Sequence, residues 1–470
     1  MTINEPQQLN PEKQQALEML KKFVSGGEEQ VFVLSGYAGT GKTTLVKFLV
    51  QWCRKNDVPI SLLASTGRAS KVLSSKTGFA SETIHRLIYS IDTSELDEQA
   101  KTKKVTFRLN ENISSENRVY LIDESSMISD KPLTQTTLTL FGSGSLLDDI
   151  FRYAGKRKII FVGDSAQLPP VNAKFSPALS LPYLLQKIKC KGTAVILKEV
   201  MRYGENPGIF QNAEKLLKVI RSENFKTRLS LNASLYSNIK VFPLDILLLE
   251  NYVKTFKEFG YESCIMIALS NRLVSNLNRM IRSLLYGKNL QSIVPGEILM
   301  VQQNNYMLGI SNGEQVEVVK QTGEPQQRAG ISFLPVEIYV TGNNGQRIVK
   351  TLLMKDFLDL DQARLSNEAE FRLTTDFMIR MRKKGLHPKR NKEEFLSALL
   401  TDPYMNALRA RYGYAVTCHK AQGGEWQHVY ILLEKGLWHP SDPSLKFKWT
   451  YTAITRSEKN LYFLENYAIQ

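Results

Sequence analysis

Short apolar runs alternate with amphipathic stretches in the first half of this chain. The runs EQVFVLSG, VPISLLAST, VYLIDE and KIIFVGD are rich in β-forming residues, and polar residues follow each of them. Between them stand TTLVKFLVQWCRK and GRASKVLSSKT, which have the character of helices. Buried strands separated by helices are typical of a parallel sheet covered on both faces, in which ligands bind at the carboxyl ends of the strands.

The second half of the chain has two kinds of pattern. A strand and a helix are predicted in ESCIMIALSNRLVSNLNRMIRSLL, and buried strands return in YGYAVTCHKAQG and TYTAITRSEKNLYFL. From about Gly296 to Phe395, short alternating strands and glycine-rich turns predict a small inserted β-barrel. Between His85 and Val119 a polar stretch contains the alternating segment KVTFRLN, which predicts a β-hairpin insertion, with a solvent-exposed excursion as the alternative.

These patterns predict an α/β chain of two parallel-sheet domains, each with an insertion. The expected ranges are 1–85 and 119–235 for the first domain, 86–118 for its hairpin, 236–305 and 398–470 for the second domain, and 306–397 for its barrel.

Charge and cysteine content narrow the classes of protein to which the chain can belong. Lysine and arginine exceed aspartate and glutamate by 15 in 470 residues, which favours a polyanionic partner such as nucleic acid. The four cysteines are far apart and form no CxxC pair, so we expect neither a zinc site nor a disulfide framework. The polar N-terminus and the lack of a long apolar run predict a cytoplasmic or nucleoid-associated protein without a targeting signal or membrane helix.

The segment Gly36–Thr43, GYAGTGKT, matches the phosphate-binding pattern GxxxxGK[ST] between a predicted strand and a predicted helix. Its glycines let backbone N–H groups turn toward phosphate oxygens, and the helix adds its positive N-terminus. Lys42 is expected to reach the β- and γ-phosphates and Thr43 to ligate Mg²⁺. The loop residues expected to bind nucleotide are Gly39, Thr40, Gly41, Lys42, Thr43 and Thr44.

Three further segments supply candidate groups for hydrolysis. VYLIDE places Asp123 and Glu124 at a strand end, where Asp123 can hold Mg²⁺ and Glu124 can polarise a water molecule. Gln167 follows a buried strand and can contact phosphate and water without titrating, although a capped loop before two prolines is the alternative. Arg202 and Arg456 are candidate phosphate clamps, which spacing alone does not separate from surface arginines.

Taken in order, the motifs resemble those of the superfamily 1 helicases. They are GYAGTGKT, LLASTGRAS, TIHRL, LIDESSM, FVGDSAQLPPV, LKEVMR, ALSNRLVSNLN, YAVTCHKAQGGEW and YTAITRS. The AGTGKT, TIH and HKAQG elements are similar to the Dda, RecD and Pif group of superfamily 1B, whose members are DNA helicases that move 5′→3′ on single strands. The resemblance spans about residues 9 to 457. It implies two RecA-like domains, a pin hairpin assigned to about 100–117, and an SH3-like barrel in the second domain.

The resemblance also implies roles for matching residues. Arg202 and Arg456 would be arginine fingers, while Gln422, Gly424 and Glu425 would couple nucleotide to DNA, the last two by binding nucleotide. Residues implied to touch the strand are Ser65, Thr66, Thr83, His85, Ser270, Asn271, Thr417 and His419. Candidates for stacking on bases, with core packing as the alternative, are Phe107, Tyr306, Tyr404 and Trp426.

One element departs from the family pattern. The family's adenine-reading glutamine follows a Leu-x-x-x pattern, but here Leu9 is followed at that position by Lys13, and Gln14 comes one place late. Either the helix register absorbs the shift and Gln14 reads the base, or Gln14 and Gln15 bind differently.

The resulting prediction is an ATP-dependent, Mg²⁺-requiring DNA helicase that acts as a monomer on single-stranded and duplex-junction DNA. Two alternatives remain open, namely an RNA helicase or RNP remodeller of the same superfamily, and a non-motor DNA-binding scaffold with a regulatory nucleotide site. The complete set of candidate catalytic residues argues against the scaffold.

Overall fold

The computed structural model describes the chain from residue 9 to residue 469, except residues 93–104, 132–138, 200–206, 289, 291, 306, 343–344, 359, 361–364, 438–441 and 467. The helices are α1 (Pro11–Ser25), α2 (Lys42–Lys55), α3 (Gly67–Thr77), α4 (Ile84–Ile88), α5 (Leu146–Ala154), α6 (Leu181–Ile188), α7 (Pro207–Ser222), α8 (Asp245–Phe259), α9 (Asn271–Tyr286), α10 (Lys355–Leu358), α11 (Asn367–Lys383), α12 (Lys392–Thr401), α13 (Cys418–Ala421) and α14 (Pro443–Ile454).

The strands follow the same chain order. They are β1 (Val31–Gly36), β2 (Ile60–Ala64), β3 (Ser81–Thr83), β4 (Tyr89–Asp92), β5 (Val105–Leu109), β6 (Val119–Asp123), β7 (Thr139–Phe141), β8 (Lys158–Gly163), β9 (Gly192–Leu197), β10 (Ile239–Phe242), β11 (Cys264–Ala268), β12 (Ile298–Val301), β13 (Gln315–Gln321), β14 (Gln326–Arg328), β15 (Ile331–Gly342), β16 (Gly345–Met354), β17 (Ala410–Tyr412), β18 (Ala415–Thr417), β19 (Trp426–Ile431) and β20 (Ser457–Leu464).

The first parallel sheet has the strand order β3-β2-β6-β8-β1-β9. Side chains of a strand alternate between faces, and here both faces are covered. Phe32 and Leu34 pack into a core with α1 and α2, whereas Val31 and Val33 pack into a second core with α5. This double burial explains why the strands read as continuous apolar runs. We call this sheet and its helices the first lobe.

The second parallel sheet has the strand order β10-β20-β19-β11-β18. Met266 of β11 packs toward α8 and α9, and Ile267 packs toward α7 and α14. The predicted α/β fold with two parallel sheets is therefore confirmed. Helix α7, which lies before the expected boundary at residue 235, packs against α14 in the core of this second sheet.

An antiparallel sheet with the order β14-β15-β13-β12-β17, extended by β16 on β15, forms a half-barrel beside the second parallel sheet. Strands β12 and β17 flank the expected range 306–397, so the sheet takes strands from both sides of it. Leu299 and Val316 share one core with Met266 of the parallel sheet. We call the second parallel sheet and the half-barrel together the second lobe.

A small third sheet emerges from the first lobe. Strands β4 and β5 form the antiparallel pair expected of a hairpin, and β7 joins β5 in parallel from beyond residue 118. Part of the assigned pin, residues 100–104, lies outside the described residues. Among the helices that the structure describes, none combines the length and the apolar character needed to cross a membrane.

Candidate active site and nucleic-acid interface

The phosphate loop connects β1 to α2 and is closed by its own lysine. Gly39 and Gly41 have φ angles of 78° and 82°, in the left-handed region that favours glycine. The Nζ atom of Lys42 donates hydrogen bonds to the carbonyl oxygens of Gly36 (2.7 Å) and Tyr37 (3.1 Å). These two hydrogen bonds hold the Lys42 ammonium group against the backbone of its own loop.

The three threonines of the loop occupy different environments. Thr40 is buried, and its hydroxyl donates to the carbonyl oxygen of Tyr37 at 2.8 Å. Thr43 is half-buried in the first turn of α2, and the neighbouring Thr44 is exposed. The Thr43 hydroxyl is therefore the one at the N-terminus of α2 that can serve as a metal ligand.

Two adjacent carboxyl groups lie at the carboxyl end of β6. Asp123 accepts a hydrogen bond from the backbone N–H of Glu124 (2.9 Å), and Glu124 has a φ of 50°. Burial raises the pKa of Asp123 and of Glu124. The pKa of Glu124 rises to about 7, although the charges of Arg456 and Lys42 oppose the shift. A carboxyl group that titrates near neutrality is suited to general-base catalysis.

The loop after β8 is hydrogen-bonded to the second lobe. Asp164 Oδ2 accepts from the hydroxyl of Tyr451 (2.9 Å), and the N–H of Leu168 donates to Thr452 Oγ1 (2.9 Å). Gln422 Nε2 donates to the carbonyl oxygen of Leu168 at 3.0 Å. This loop therefore links the first lobe to α14 and to Gln422 of the second lobe.

Two buried amide oxygens in this region have no hydrogen-bond partner within the described part of the chain. They are Oε1 of Gln167 and Oε1 of Gln422, each on a side chain less than 4% exposed. Buried polar atoms normally have a partner, so an unpaired acceptor at a cleft indicates a bound donor such as water. Gln167 was predicted to contact phosphate and water, and its Nε2 lies 3.5 Å from Asp164 Oδ2. The sequence did not single out the oxygen of Gln422.

Arg456 is 4% exposed and is held by its own lobe. Its guanidinium group donates to the carbonyl oxygens of Thr452 (3.1 Å) and Gly424 (3.3 Å). Its charge opposes the upward shift of the Glu124 pKa, so the two side chains are close enough to interact electrostatically. The other predicted finger, Arg202, lies outside the described residues.

Helix α3 of the first lobe is clamped by the second lobe. Lys76 forms an ion pair with Glu425, and Lys71 forms one with Glu314 of the half-barrel. At the start of the helix, a Cβ atom on Gly67 would overlap the side chains of Ser311 and Glu314. Glu425, which the resemblance assigned to nucleotide binding, is therefore engaged in a contact between the lobes.

The adenine-reading element has an unexpected geometry. Gln14 Nε2 donates to the carbonyl oxygen of Leu9 at 2.9 Å. Lys13 is 3% exposed, burial lowers its pKa, and its stem lies 3.0 Å from the position of a Cβ built on Gly41. Lys13 therefore lies against the phosphate loop at Gly41.

Four of the residues implied to touch DNA occupy equivalent places in the fold. Thr66, Thr83, Ser270 and Thr417 each precede the first residue of a helix that begins at the carboxyl end of a parallel strand. Because neighbouring strands are in register, with Ala64 beside Thr83, for example, these residues follow one edge of each sheet. The structure thereby brings hydroxyl groups and helix N-termini to the carboxyl edge of the sheet in each lobe, and in the first lobe this edge also holds the phosphate loop.

The histidines in the predicted interface are neutral. His85 packs against Tyr89 and Phe141, with ring centroids 5.5 and 5.2 Å away, and burial lowers its pKa to about 4. Burial also lowers the pKa of His419. Near neutral pH, an uncharged imidazole contributes a hydrogen bond rather than a charge. Ser65 contacts the sulfur of Met127 at 3.7 Å.

Glu434 is a residue of this interface that sequence reasoning missed. Its carboxylate accepts from the N–H of Leu269 (2.8 Å), the N–H of Ser270 (2.7 Å) and the hydroxyl of Ser270 (2.7 Å). Ser270 is a predicted phosphate contact, but it is already bonded to the Glu434 carboxylate. It must release Glu434 before it can bind a nucleic-acid strand. The signal was a single glutamate after a buried strand, which sequence alone cannot pair with residue 270.

A cavity beside Asn271 and Thr417 collects cationic side chains. Its walls include Arg279, Arg411 and Lys420, between α9 and the strands β17 and β18. Burial, together with the charge of Arg411, lowers the pKa of Lys420 to about 8. Converging cations in a partly buried cavity favour a polyanion.

The aromatic candidates for base stacking pack mainly into the protein. Trp426 is buried beneath the guanidinium group of Arg68, which lies 3.8 Å from the ring centroid. Phe107 is buried and stacks on Phe141 at 4.5 Å. Tyr404 packs edge-on against Phe333. Tyr306 lies outside the described residues. The alternative of core packing therefore describes Trp426 and Phe107.

Two protein-family models match this chain. An AAA domain matches residues 8–219, and a UvrD-like helicase C-terminal domain matches residues 412–464, which contain Arg456. The ATP-dependent DNA helicase Dda of Enterobacteria phage T4 is 24% identical over 463 residues, with 92% of this chain and 93% of the phage protein covered. In both family matches and in this relative, the chain is similar to the superfamily 1B helicases.

Other relatives of this helicase extend the comparison. An uncharacterized protein of Methanocaldococcus jannaschii is 24% identical over 479 residues, and the match covers 97% of this chain but 38% of the archaeal protein. A solved structure of Pif1 helicase, from work on unwinding at forked duplex DNA, has a TM-score of 0.50 at 17% identity and covers 97% of this chain and 92% of that one. At this identity the structural match supports the fold.

Proposed function

We propose that this helicase hydrolyses ATP in the cleft between its two lobes and thereby translocates on single-stranded DNA and unwinds a duplex at a junction. The observation that carries the proposal is the cluster of Lys42, Asp123 and Glu124 from the first lobe with Arg456 from the second. Arg456 and Lys42 both oppose the raised pKa of Glu124, so cations of the two lobes converge on one carboxyl group.

The residues of the cleft fit a nucleotide with Mg²⁺. The loop with left-handed Gly39 and Gly41 exposes backbone N–H groups of the kind that cradle phosphate. The hydroxyl of Thr43 and the carboxylate of Asp123 are hard oxygen ligands, which Mg²⁺ prefers. A bound Mg²⁺ would neutralise charge on the phosphates.

In the proposed hydrolysis each protein group has a separate task. Glu124 accepts the proton of a water molecule at its carboxylate, and the unpaired amide oxygen of Gln167 orients that water. Lys42 neutralises charge on the bound phosphates. Arg456 stabilises the charge that develops on the transferred phosphoryl group, and because its hydrogen bonds go to the second lobe, hydrolysis requires both lobes.

Movement on DNA would follow from the arrangement of strand contacts. Thr66 and Thr83 belong to the first lobe, whereas Ser270 and Thr417 belong to the second, so a change in lobe separation changes the distance between two gripping sites. ATP drives such a change only if it binds the two arrangements with different affinity. DNA as the track is supported by the charge excess of 15 and by the DNA helicase Dda among the relatives. The 5′→3′ direction follows from the family group.

The testing experiment compares Lys42→Ala with Lys55→Ala, a change at the exposed far end of the same helix. We expect Lys42→Ala to abolish DNA-stimulated ATP hydrolysis and unwinding while binding of a single strand persists, and Lys55→Ala to retain all three. Substrates with a 5′ or a 3′ overhang measure direction. Unwinding that survives Lys42→Ala would refute the site.

The same assays separate the two alternative functions. Stronger stimulation of ATP hydrolysis by single-stranded RNA than by matched DNA would favour an RNA helicase. Nucleotide-dependent DNA binding without any turnover would favour the non-motor scaffold.

A further inference from the structure

One hydroxyl group of the second lobe contacts both the phosphate loop and the loop after β8 in the first lobe. Tyr451, in α14, accepts a hydrogen bond from the backbone N–H of Ala38 at 2.9 Å and donates one to Asp164 Oδ2 at 2.9 Å. Ala38 lies within GYAGTGKT, and Asp164 follows β8. The Tyr451 side chain is fully buried, so its hydroxyl has a fixed position in the cleft.

The bond to Ala38 uses a donor of the kind that binds phosphate. Phosphate loops hold their ligand through backbone N–H groups, and each N–H makes one strong hydrogen bond. At Ala38 the acceptor is the phenol oxygen of Tyr451. A phosphate oxygen and the tyrosine hydroxyl therefore compete for the same proton.

Displacement of this hydroxyl would affect the rest of the second lobe. Tyr451 is one residue before Thr452, whose carbonyl oxygen accepts from Arg456 Nε at 3.1 Å. The hydroxyl of Thr452 separately accepts from the N–H of Leu168, outside the phosphate loop. The same turn of α14 thus carries one hydrogen bond to the phosphate loop, two to the loop after β8, and the attachment of Arg456.

We propose that Tyr451 is a positioning residue that couples occupancy of the phosphate loop to α14 by competing with nucleotide phosphate for the N–H of Ala38. The inference rests on the proposed nucleotide site. Nucleotide binding breaks the bond between Ala38 and Tyr451, and the bond between Leu168 and Thr452 remains as the point about which the helix readjusts. The Tyr451 hydroxyl accordingly weakens nucleotide affinity. Its displacement by nucleotide transmits binding through α14 to Arg456.

The decisive variant is Tyr451→Phe, with Tyr252→Phe as its matched control. Tyr252 is equally buried, and its hydroxyl donates to the carbonyl oxygen of Tyr414 in the core of the second lobe, away from the phosphate loop. The measurements are the dissociation constant of a fluorescent ATP analogue, KM and kcat for ATP, base pairs unwound per ATP, and the melting temperature.

We expect Tyr451→Phe to bind the analogue about fivefold more tightly, the effect of about one hydrogen bond, with a similar fall in KM. Base pairs unwound per ATP should fall at least twofold. Tyr252→Phe should change neither quantity, although it should lower the melting temperature to a similar extent. The sign is diagnostic, because a merely structural role for Tyr451 would weaken nucleotide binding.

Unchanged or weaker binding by a folded Tyr451→Phe variant would overturn the inference. If that variant does not fold, Asp164→Asn replaces the charged acceptor of the Tyr451 hydroxyl, and the same tightening in smaller measure is expected; weaker binding would overturn the inference. If the wild-type chain binds no nucleotide, the proposed function fails, and the failure is recognised because Lys42→Ala then has no effect on binding.

Discussion

The two parallel sheets present opposite chemistry at the edges that face each other. The first lobe contributes the carboxyl groups of Asp123, Glu124 and Asp164, whereas the second contributes the guanidinium group of Arg456 and the phenol of Tyr451. Burial raises the pKa of Asp123 and of Glu124, that of Glu124 to about 7. The groups of the second lobe are fixed by hydrogen bonds to their own backbone or to the partner lobe. The acidic groups of the site thus lie on the first lobe, and the arginine and tyrosine that interact with them lie on the second.

This difference between the lobes explains how hydrolysis at such a site can be coupled to movement of one lobe relative to the other. Arg456 is bonded to Thr452 and Gly424, so it travels with the second sheet. The carboxylates travel with the first sheet. Under the proposed mechanism hydrolysis needs both groups, so it can proceed only in one relative position of the lobes.

The largest effect is expected from Arg456→Ala, which removes the second lobe's charge from the reaction. We expect kcat for ATP to fall by ~10³-fold or more, while affinity for single-stranded DNA stays within about twofold. Steady-state hydrolysis and strand binding measure the two quantities. Arg456→Lys keeps the charge but loses the planar fork, so it should recover only a small part of the rate. A fall of less than tenfold for Arg456→Ala would mean that the second lobe is not needed for the chemistry.

Glu124→Gln removes the proposed base from the first lobe and should lower kcat by ~10²–10⁴-fold while ATP still binds. Stability gives an independent readout. Burial raises the Glu124 pKa from 4.5 to about 7, so the folded state holds this proton more tightly than the unfolded state, and stability falls as pH rises between these values. The variant should therefore melt higher than the wild type at pH 8 and close to it at pH 4. Equal melting temperatures at pH 8 would contradict the burial of this charge.

The smallest effect concerns the cationic cavity of the second lobe. Because the pKa of Lys420 is lowered to about 8, this lysine loses its charge between pH 7 and pH 9. We expect affinity for single-stranded DNA, measured by fluorescence anisotropy, to fall by about threefold to tenfold over that range. Lys420→Arg stays charged and should flatten the profile. An unchanged slope in Lys420→Arg would assign the pH dependence to another group.

Local signals in the sequence predicted the parts of the molecule that short segments determine. The phosphate loop is specified by glycine spacing between Gly36 and Thr43, and the buried strands by continuous apolar runs. Contacts between distant segments could not be predicted in this way. The bond from Ala38 to Tyr451 joins residues 413 positions apart, and Glu434 caps Ser270 from 164 positions away.

The remaining differences have the same physical origin. Strands β12 and β17 lie outside the expected barrel range yet belong to its sheet, because β12 pairs with β13 and β17 pairs with β12, and such pairings between distant segments are not written in either strand's own sequence. Lys13 was visible as a departure from the family pattern, yet its position against Gly41 depends on how α1 packs on the phosphate loop.

Gly67 lies where the two lobes meet, and the close contact there requires a residue without a side chain. A helix that opens on glycine is harder to form, because that residue loses more backbone freedom than any other on folding. Here the absent side chain is what lets α3 reach Ser311 and Glu314, and Thr66 is the adjacent residue. The chain thus keeps a weaker helix start where α3 meets the half-barrel, beside Thr66, the predicted strand contact, and even an alanine at this position would force α3 and the half-barrel apart.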